Sequence, residues 1–361
     1  MDIKLVHGLP EDKWRNYVEQ HPQGNIFHTP EMFQVFSRTK GYQPALLSAT
    51  LRGDRVLALL SPVQITLGDG PLRRLRTRAV AYGSVLYDPG PAGASALTTL
   101  MHAYVHKTSA KLLFTELRNL ADLSAARPVL ARHGFAHEDH LTYLIDLDRP
   151  ANEVWRALHK SGRKAIRRSV HRGVTVQELD DRSLLPAYYD LIRQTYARAQ
   201  IPLADISLFE AVFDVLVSQG MAKMLLARVA DDYVAASLEL LYKDVIYSWY
   251  SGYDRAFRYF YPNDILVWHI LEWGATHGYR CYDFGGAGRP DQAYGVRNFK
   301  AKFGGQLVNL GRYTYVHAPL ALMVSRAGYA LYRTLLRYRP ARRSAPTTVT
   351  QLNECAELHA G

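Results

Sequence analysis

The stretch NFKAKFGG, residues 298 to 305, sets Lys300 and Lys302 into a run of aromatic and small residues that ends in a glycine pair. A fixed ammonium group can hold an anion, so the question is which lysine could face a site. A helix advances about 100° per residue, which points Lys300 and Lys302 roughly 200° apart and lets only one of them serve a common site. Phe299 and Phe303, at i and i+4, then form the stripe that packs on the rest of the protein. Both lysines also suit a helix end, where cations complement the carbonyl dipole ahead of Gly304.

A second basic constellation lies between residues 156 and 172, which carry Arg156, Lys160, Arg163, Lys164, Arg167, Arg168, His171 and Arg172. Arg163 and Arg167 stand one turn apart, close enough to grip one phosphate or diphosphate together, with Lys164 beside them. The same spacing also fits a solvated charged face. Tyr247, Trp249, Tyr250 and Tyr253 crowd one predicted strand. Alternation puts Tyr247 and Trp249 on one face and Tyr250 on the other, from which its hydroxyl can donate to a substrate. Gly285-Gly286-Ala287-Gly288 matches neither common phosphate-loop pattern and reads as a flexible turn. Asp254, Asp264 and Asp283 are all possible proton acceptors, and nothing in the sequence ranks them.

The elements that must position these residues repeat. In the first half, 55–63 and 81–88 read as strands, 96–107 as a helix, 112–117 as a buried strand, 126–135 as a short helix and 141–147 as a last strand. The second half answers with strands 233–242 and 246–254, a helix from Asp264 to His277 that stops at Gly278, strand 281–284, a short helix over GVRNFKAKFGG and a last strand 311–316. Gly134 and Gly304, like Glu116 and Asp283, are separated by nearly the same number of residues. This reads as a duplicated α+β fold. Asp148-Arg149-Pro150 ends the first copy, because proline breaks a strand ladder and restricts its predecessor. The copies are therefore expected at residues 1–150 and 151–317.

With 361 residues and 48% hydrophobic content, the chain is long enough to bury the cores of two domains. Its net charge of +11 calls for an anionic partner: nucleic acid, a phosphorylated small molecule or a membrane surface. The two cysteines, Cys281 and Cys355, build no disulfide framework and no zinc spacing. The N-terminal MDIKLVHGLPEDKW has no apolar core of a signal peptide, and no window approaches the roughly 18 consecutive apolar residues of a spanning helix. The chain is expected in the cytoplasm, free or peripheral at the inner membrane. Residues 318–340 read as a basic amphipathic helix that could lie on an anionic leaflet or pack on the second domain. Residues 341–361 read as a disordered tail.

GNIFHTPEM (24–32), LHKSGRKAIRRSVHRGV (158–174) and YDFGGAGRPDQAYGVRNFKAKFGGQLVNLGRYTYV (282–316), set in this order of elements, resemble the FemABX-like aminoacyltransferases and their acetyltransferase-like relatives in the GNAT superfamily. The resemblance implies tandem duplicated GNAT-like domains, each a mixed, largely antiparallel sheet flanked by helices, plus a C-terminal helix. It implies transfer of an acyl group onto an amine of a cell-envelope precursor related to peptidoglycan or exopolysaccharide. The long helical hairpin that staphylococcal members insert in the second domain has no room between Gly173 and Phe209, which implies a compact form.

Attack of an amine on an ester or thioester builds negative charge on oxygen, and a fixed cation facing that oxygen is worth a few kcal/mol. By the resemblance Lys300 is the catalytic lysine, since it follows Phe299 in the motif whose lysine lines the family's catalytic channel. Arg163, Lys164, Arg167, Arg198, Tyr250, Lys302 and Arg38 are the expected substrate-binding residues, with Arg198 and Arg38 placed by resemblance alone. No cofactor and no metal is expected. The donor is a substrate, with aminoacyl-tRNA ahead of acyl-CoA or acyl-carrier protein. DRAFRYFYPND (254–264) lacks the glycines of a CoA pyrophosphate loop, and YDPGPAGAS (87–95) carries prolines where N–H donors are needed. The competing class is a non-catalytic anion or nucleic-acid binder, for which the charge alone would suffice.

Overall fold

The computed structural model describes residues 2–52, 55–66, 73–108, 112–325 and 327–328. The first half contains β1 (Ile3–His7), α1 (Glu11–Gln20), α2 (Pro30–Arg38), β2 (Tyr42–Pro44), β3 (Leu47–Leu51), β4 (Arg55–Leu60), β5 (Val63–Thr66), β6 (Thr77–Tyr82), β7 (Val85–Tyr87), α3 (Pro91–Thr108), β8 (Phe114–Arg118), α4 (Arg127–Arg132), β9 (Ala136–Glu138) and β10 (Leu141–Asp146). The second half contains α5 (Ala151–Ala157), α6 (Lys160–His171), β11 (Val174–Glu178), α7 (Leu185–Ala199), α8 (Ile206–Val215), β12 (Ala222–Val229), β13 (Asp232–Tyr242), β14 (Val245–Tyr253), α9 (Pro262–Thr276), β15 (Cys281–Gly286), α10 (Gly295–Ala301), β16 (Gln306–Asn309) and β17 (Arg312–Val316).

Two stretches expected as single strands are broken. The run 55–63 divides at Ser61-Pro62 into β4 and β5, because proline cannot donate to a ladder. The run 81–88 reverses at Gly83 and Ser84, both at positive φ, into the end of β6 and β7. These turns split the first half into an antiparallel sheet of order β1-β3-β4-β7 and a sheet of order β2-β5-β6-β8-β17-β9. The second half builds a sheet of order β11-β12-β13-β14-β15-β10-β16. Gly134 and Gly304, following α4 and α10, have φ of +82° and +76°, so the repeated glycines give both copies a left-handed helix exit.

The duplication shows most clearly in the strand directions. Each of the two larger sheets has one parallel pair, β6 with β8 and β14 with β15, amid antiparallel neighbours. Glu116 sits on β8 opposite Val80, and Asp283 sits on β15 opposite Tyr247, so the repeated carboxylates occupy equivalent places.

The expected boundary at residue 150 falls in the turn between β10 and α5, yet it does not separate the sheets. β10, the last strand of the first half, lies between β15 and β16 in the second sheet. β17, the last strand of the second half, lies between β8 and β9 in the first. The closing strands are exchanged. One apolar core also crosses the halves, joining Phe27, Phe36 and Tyr82 to Tyr188, Phe209 and Tyr250. Within it Phe27 stacks on Tyr82 at 5.2 Å and meets Trp249 edge-on at 5.5 Å.

Residues 319–325 are helical, with Leu322 buried and Ser325 Oγ donating to the Leu75 carbonyl at 2.8 Å. The remainder of the helix expected over 318–340, and the tail 341–361, lie outside the described residues beyond 328. No helix among the described residues is long and apolar enough to cross a membrane.

An exchanged strand cannot be supplied by its own half. Residues 1–150 and 151–361 produced separately should each lack a cooperative thermal transition by circular dichroism, whereas co-expression should return a 1:1 complex with one transition. Independent, native-like melting of either piece would contradict the exchange.

Candidate functional site

β14 and β15 are paired only from Val245–Cys281 to Tyr247–Asp283, and beyond that the two strands part. The gap opens into a channel of about 420 Å³ between the halves. Its second-half wall includes Ser248, Tyr250, Gly285 and Lys300, and its first-half wall includes Tyr82, Arg78, Arg118 and Arg312. The alternation expected for β14 fails at this point. Tyr250 opposes Leu238 and Ser248 opposes Glu239, so Trp249 is an extra residue, a bulge that brings Tyr247, Trp249 and Tyr250 all to the channel.

Lys300 is buried at the channel floor. Its Nζ donates to the carbonyl oxygens of Phe284, of Gly285 at 3.0 Å and of Gly286 at 2.9 Å. Three successive carbonyls can converge on one ammonium because Gly285 takes φ +67°, a conformation costly for other residues. All three of its N–H donors therefore serve the turn at the end of β15. Burial pulls the Lys300 pKa from 10.5 down to about 8, with Asp283 and Glu239 opposing the shift. Asp283 accepts from Thr142 Oγ1 and from the Gly285 amide, both at 2.8 Å. Burial raises its pKa, and those two donors and Lys300 oppose the rise.

Lys302 points elsewhere, as the helical phase required. Its Nζ lies 3.4 Å from Asp264 Oδ1 and 5.1 Å from the centre of the Phe299 ring. Phe299 and Phe303 pack together at 5.3 Å, with Phe284 against Phe303 at 5.5 Å.

Of the residues expected from the sequence, the structure brings Lys300 and Tyr250 together in the channel. Arg163 and Arg167 do not converge. Arg163 Nη1 donates to the carbonyls of Arg156 at 2.8 Å and of Leu158, closing the end of α5, whose last carbonyls have no helical partner. Arg167 lies over the Trp155 ring at 5.5 Å, and Lys164 is exposed to solvent. Arg198 Nη2 donates to Thr195 Oγ1 and to the Tyr253 carbonyl, both at 2.8 Å, and its guanidinium covers the Tyr253 ring. Arg38 is exposed in the last turn of α2. His28 is fully buried, facing the Ser84 carbonyl at 3.3 Å, and burial pulls its pKa to about 3.

The sequence reading missed the first-half wall. Arg118 and Arg312 are register partners on β8 and β17, and both bond Glu116 Oε1, Arg312 at 3.4 Å. Burial pushes the Glu116 pKa up, but the two guanidiniums outweigh it and hold the carboxylate at about 2. Arg312 Nη2 also meets His140 Nε2 at 2.8 Å. Burial, joined by the charge of Arg312, lowers the His140 pKa to about 4, so this ring is neutral near pH 7. Glu239 was missed as well. It faces Ser237, Ser248 and Tyr282 behind the channel wall, and burial raises its pKa to about 7. The constant offset between Glu116 and Asp283 was the available signal for the wall. Its cations stayed hidden because the pairing of β17 with β8 could not be read. No group of His, Cys, Asp and Glu among the described residues could hold a metal ion.

A family model described as an acetyltransferase (GNAT) domain matches residues 156–301. The lipid II:glycine glycyltransferase of Staphylococcus aureus (strain USA300) is 23% identical over 261 residues, a match spanning 52% of this chain and 62% of that protein. The crystal structure of FemX superposes with a TM-score of 0.67 at 17% identity, covering 89% of this chain and 100% of that one. Residues 156–301 thus match a GNAT domain, and the chain as a whole is similar in fold to FemX. A tandem GNAT protein from the clavulanic acid biosynthesis pathway shares the architecture, with a TM-score of 0.56, 12% identity and coverage of 88% and 99%. The matched GNAT domain contains the parting strands and Lys300. The wall built by Arg118 and Arg312, partners on β8 and β17, lies outside it.

Glu239 makes stability depend on pH in a defined direction. Its folded pKa is raised from 4.5 to about 7, so between those values the folded state binds more protons than the unfolded state. Its contribution to stability is therefore full below pH 4.5 and lost as pH rises through about 7. Glu239→Gln cannot ionise, so urea denaturation at about pH 5 and about pH 7 should show a smaller loss of stability in the variant than in the parent. Equal losses would mean that Glu239 does not titrate in this window.

Proposed function

We propose that this channel transfers an acyl group, aminoacyl rather than acetyl, onto an amine of a lipid-linked or otherwise phosphorylated cell-envelope precursor. The observation that carries the reading is the parting of β14 and β15 above a turn gripped by a buried lysine, within a matched GNAT domain. The name of the staphylococcal relative, a glycyl transfer to lipid II, supports the acceptor class.

In the reaction, the unprotonated acceptor nitrogen attacks the donor carbonyl carbon, a C–N bond forms and negative charge gathers on the carbonyl oxygen. Collapse breaks the bond to the departing ester oxygen or thioester sulfur, which ends with the proton that the amine gives up. A preorganised positive charge beside a developing oxyanion lowers the barrier of such a step more than most other catalytic effects do. Lys300 meets that need through its field and through the turn it holds, since its own N–H groups are engaged. Among the described residues no dedicated base is required, because the amine can attack as the free base.

The donor assignment rests on the loop before α9. A CoA pyrophosphate needs several backbone N–H groups aimed at it. Here the Ala256 amide donates to Asp254 Oδ1, the Phe257 amide to the Asp254 carbonyl, and the Asp264 amide to the Tyr261 carbonyl. Tyr261 holds φ +54° with a bulky side chain where a glycine would let phosphate approach. An aminoacyl-tRNA donor, which brings its phosphates to the outer basic surface, avoids this loop.

Lys300→Met should lower the transfer rate at least tenfold with the fold retained, and Lys302→Met much less. Equal small effects would detach the lysines from the chemistry and favour a binder. Calorimetric titration with CoA and with an aminoacyl-tRNA analogue in moderate salt tests the donor. Micromolar CoA binding without tRNA binding would overturn the aminoacyl-tRNA assignment in favour of an acyl-CoA enzyme.

A further inference from the structure

The first-half wall of the channel carries more positive charge than its own carboxylate balances. Arg78, Arg118 and Arg312 all line the cavity, and all three act on Glu116, the one carboxylate among the described residues bonded to this group. His140, against Arg312, is neutral near pH 7 and offsets none of it. On the opposite wall Lys300 has its own counter-charge in Asp283.

Nor are these arginines ordinary surface cations. Arg312 is only about a quarter exposed, and burial pushes its pKa below the usual arginine value, with Glu116 opposing. Arg118 lies 5.0 Å from the centre of the Tyr82 ring, a cation–π contact at the edge of the cavity. The Nε of Arg78 is buried and makes no hydrogen bond. Buried cations cost several kcal/mol each unless paired, and a buried donor without an acceptor adds to that cost. An arrangement of this kind is favourable when a ligand supplies the missing acceptors.

We propose that Arg78, Arg118 and Arg312 form an anion subsite that holds a carboxylate or phosphate group of the substrate on the wall opposite Lys300. Guanidinium groups match both oxyanions in bidentate geometry, and Glu116 keeps two of them aligned while the subsite is empty. The neighbouring Tyr82 and Tyr247 supply an amphipathic lining for the part of the substrate that joins the anion to the reacting group. The subsite would fix one end of a substrate across the channel from the turn held by Lys300, which is how binding energy away from the reacting atoms becomes positioning.

The inference rests on the transferase reading only in taking the channel as the place where substrate sits, and its test needs no turnover. Inorganic phosphate and N-acetylglycine serve as probes, titrated calorimetrically at constant ionic strength made up with chloride. The intact protein should bind at least one of them saturably, in the millimolar range expected for a small fragment. Arg78→Gln and Arg312→Gln should each weaken that binding at least tenfold, while Arg228→Gln, which pairs with Asp231 away from the channel, should leave it unchanged. Preference for phosphate would assign the subsite to a phosphorylated head group, and preference for N-acetylglycine to a carboxylate-bearing peptide or amino acid.

Arg312→Gln also breaks a contact to Glu116 and could disturb the fold. Arg78→Gln removes a group whose Nε is unbonded and is therefore the deciding variant, with its thermal transition measured alongside. Binding in Arg78→Gln equal to that of the parent, or no saturable binding of either probe by the parent, overturns the subsite. Those outcomes would leave the transferase reading standing. Conversely, absence of transfer from any donor would refute that reading without altering the anion titration.

Discussion

A strand in the interior of a sheet needs hydrogen-bonding neighbours on both sides, and here that requirement is met across the middle of the chain. β10 fills a slot between β15 and β16, and β17 fills one between β8 and β9. Where the two crossing strands begin, the Gly311 amide donates to the His140 carbonyl, and Arg312 Nη2 reaches the His140 ring. The crossing thus lies at the wall of the channel. It carries Arg312 from the last strand of the second half to a position beside Arg118 and Glu116 of the first, so the site has two walls only because the strands are exchanged.

Within that frame the two walls use charge differently. On one side Lys300 is saturated by three carbonyls and faces Asp283, so its cation is held and it ties together the end of β15. On the other, Arg118 and Arg312 share one carboxylate, and Arg78 stands with an unbonded donor. The first arrangement is internally complete and the second is not. Low local dielectric makes both consequential, because charge is poorly screened in a half-closed channel lined by tyrosines.

Much of the architecture was legible in the sequence, and for identifiable reasons. Order of elements, the repeated glycines and the matched carboxylates reflect short-range geometry that both copies must satisfy, and they appear as two parallel pairs and two left-handed helix exits. The opposed directions of Lys300 and Lys302 followed from helical phase. Pairwise grip by Arg163 and Arg167 did not follow from the same rule. Spacing says that two side chains share a face, whereas their partners are set by what packs beside them: the exposed carbonyls of α5 for one and Trp155 for the other. On β14 one extra residue, Trp249, defeated simple alternation and drew Tyr250 to the channel together with Tyr247.

The sequence by itself determined the duplicated α+β plan, the family resemblance and the opposed phase of Lys300 and Lys302, because periodicity, glycine placement and a contiguous motif are all local properties of the chain. Only the tertiary structure decided which sheet each closing strand joins and which cations meet. Arg118 and Arg312 are far apart in sequence, on strands whose pairing depends on global competition for sheet edges. That competition is settled by the packing of the whole molecule, so no window of residues contains it.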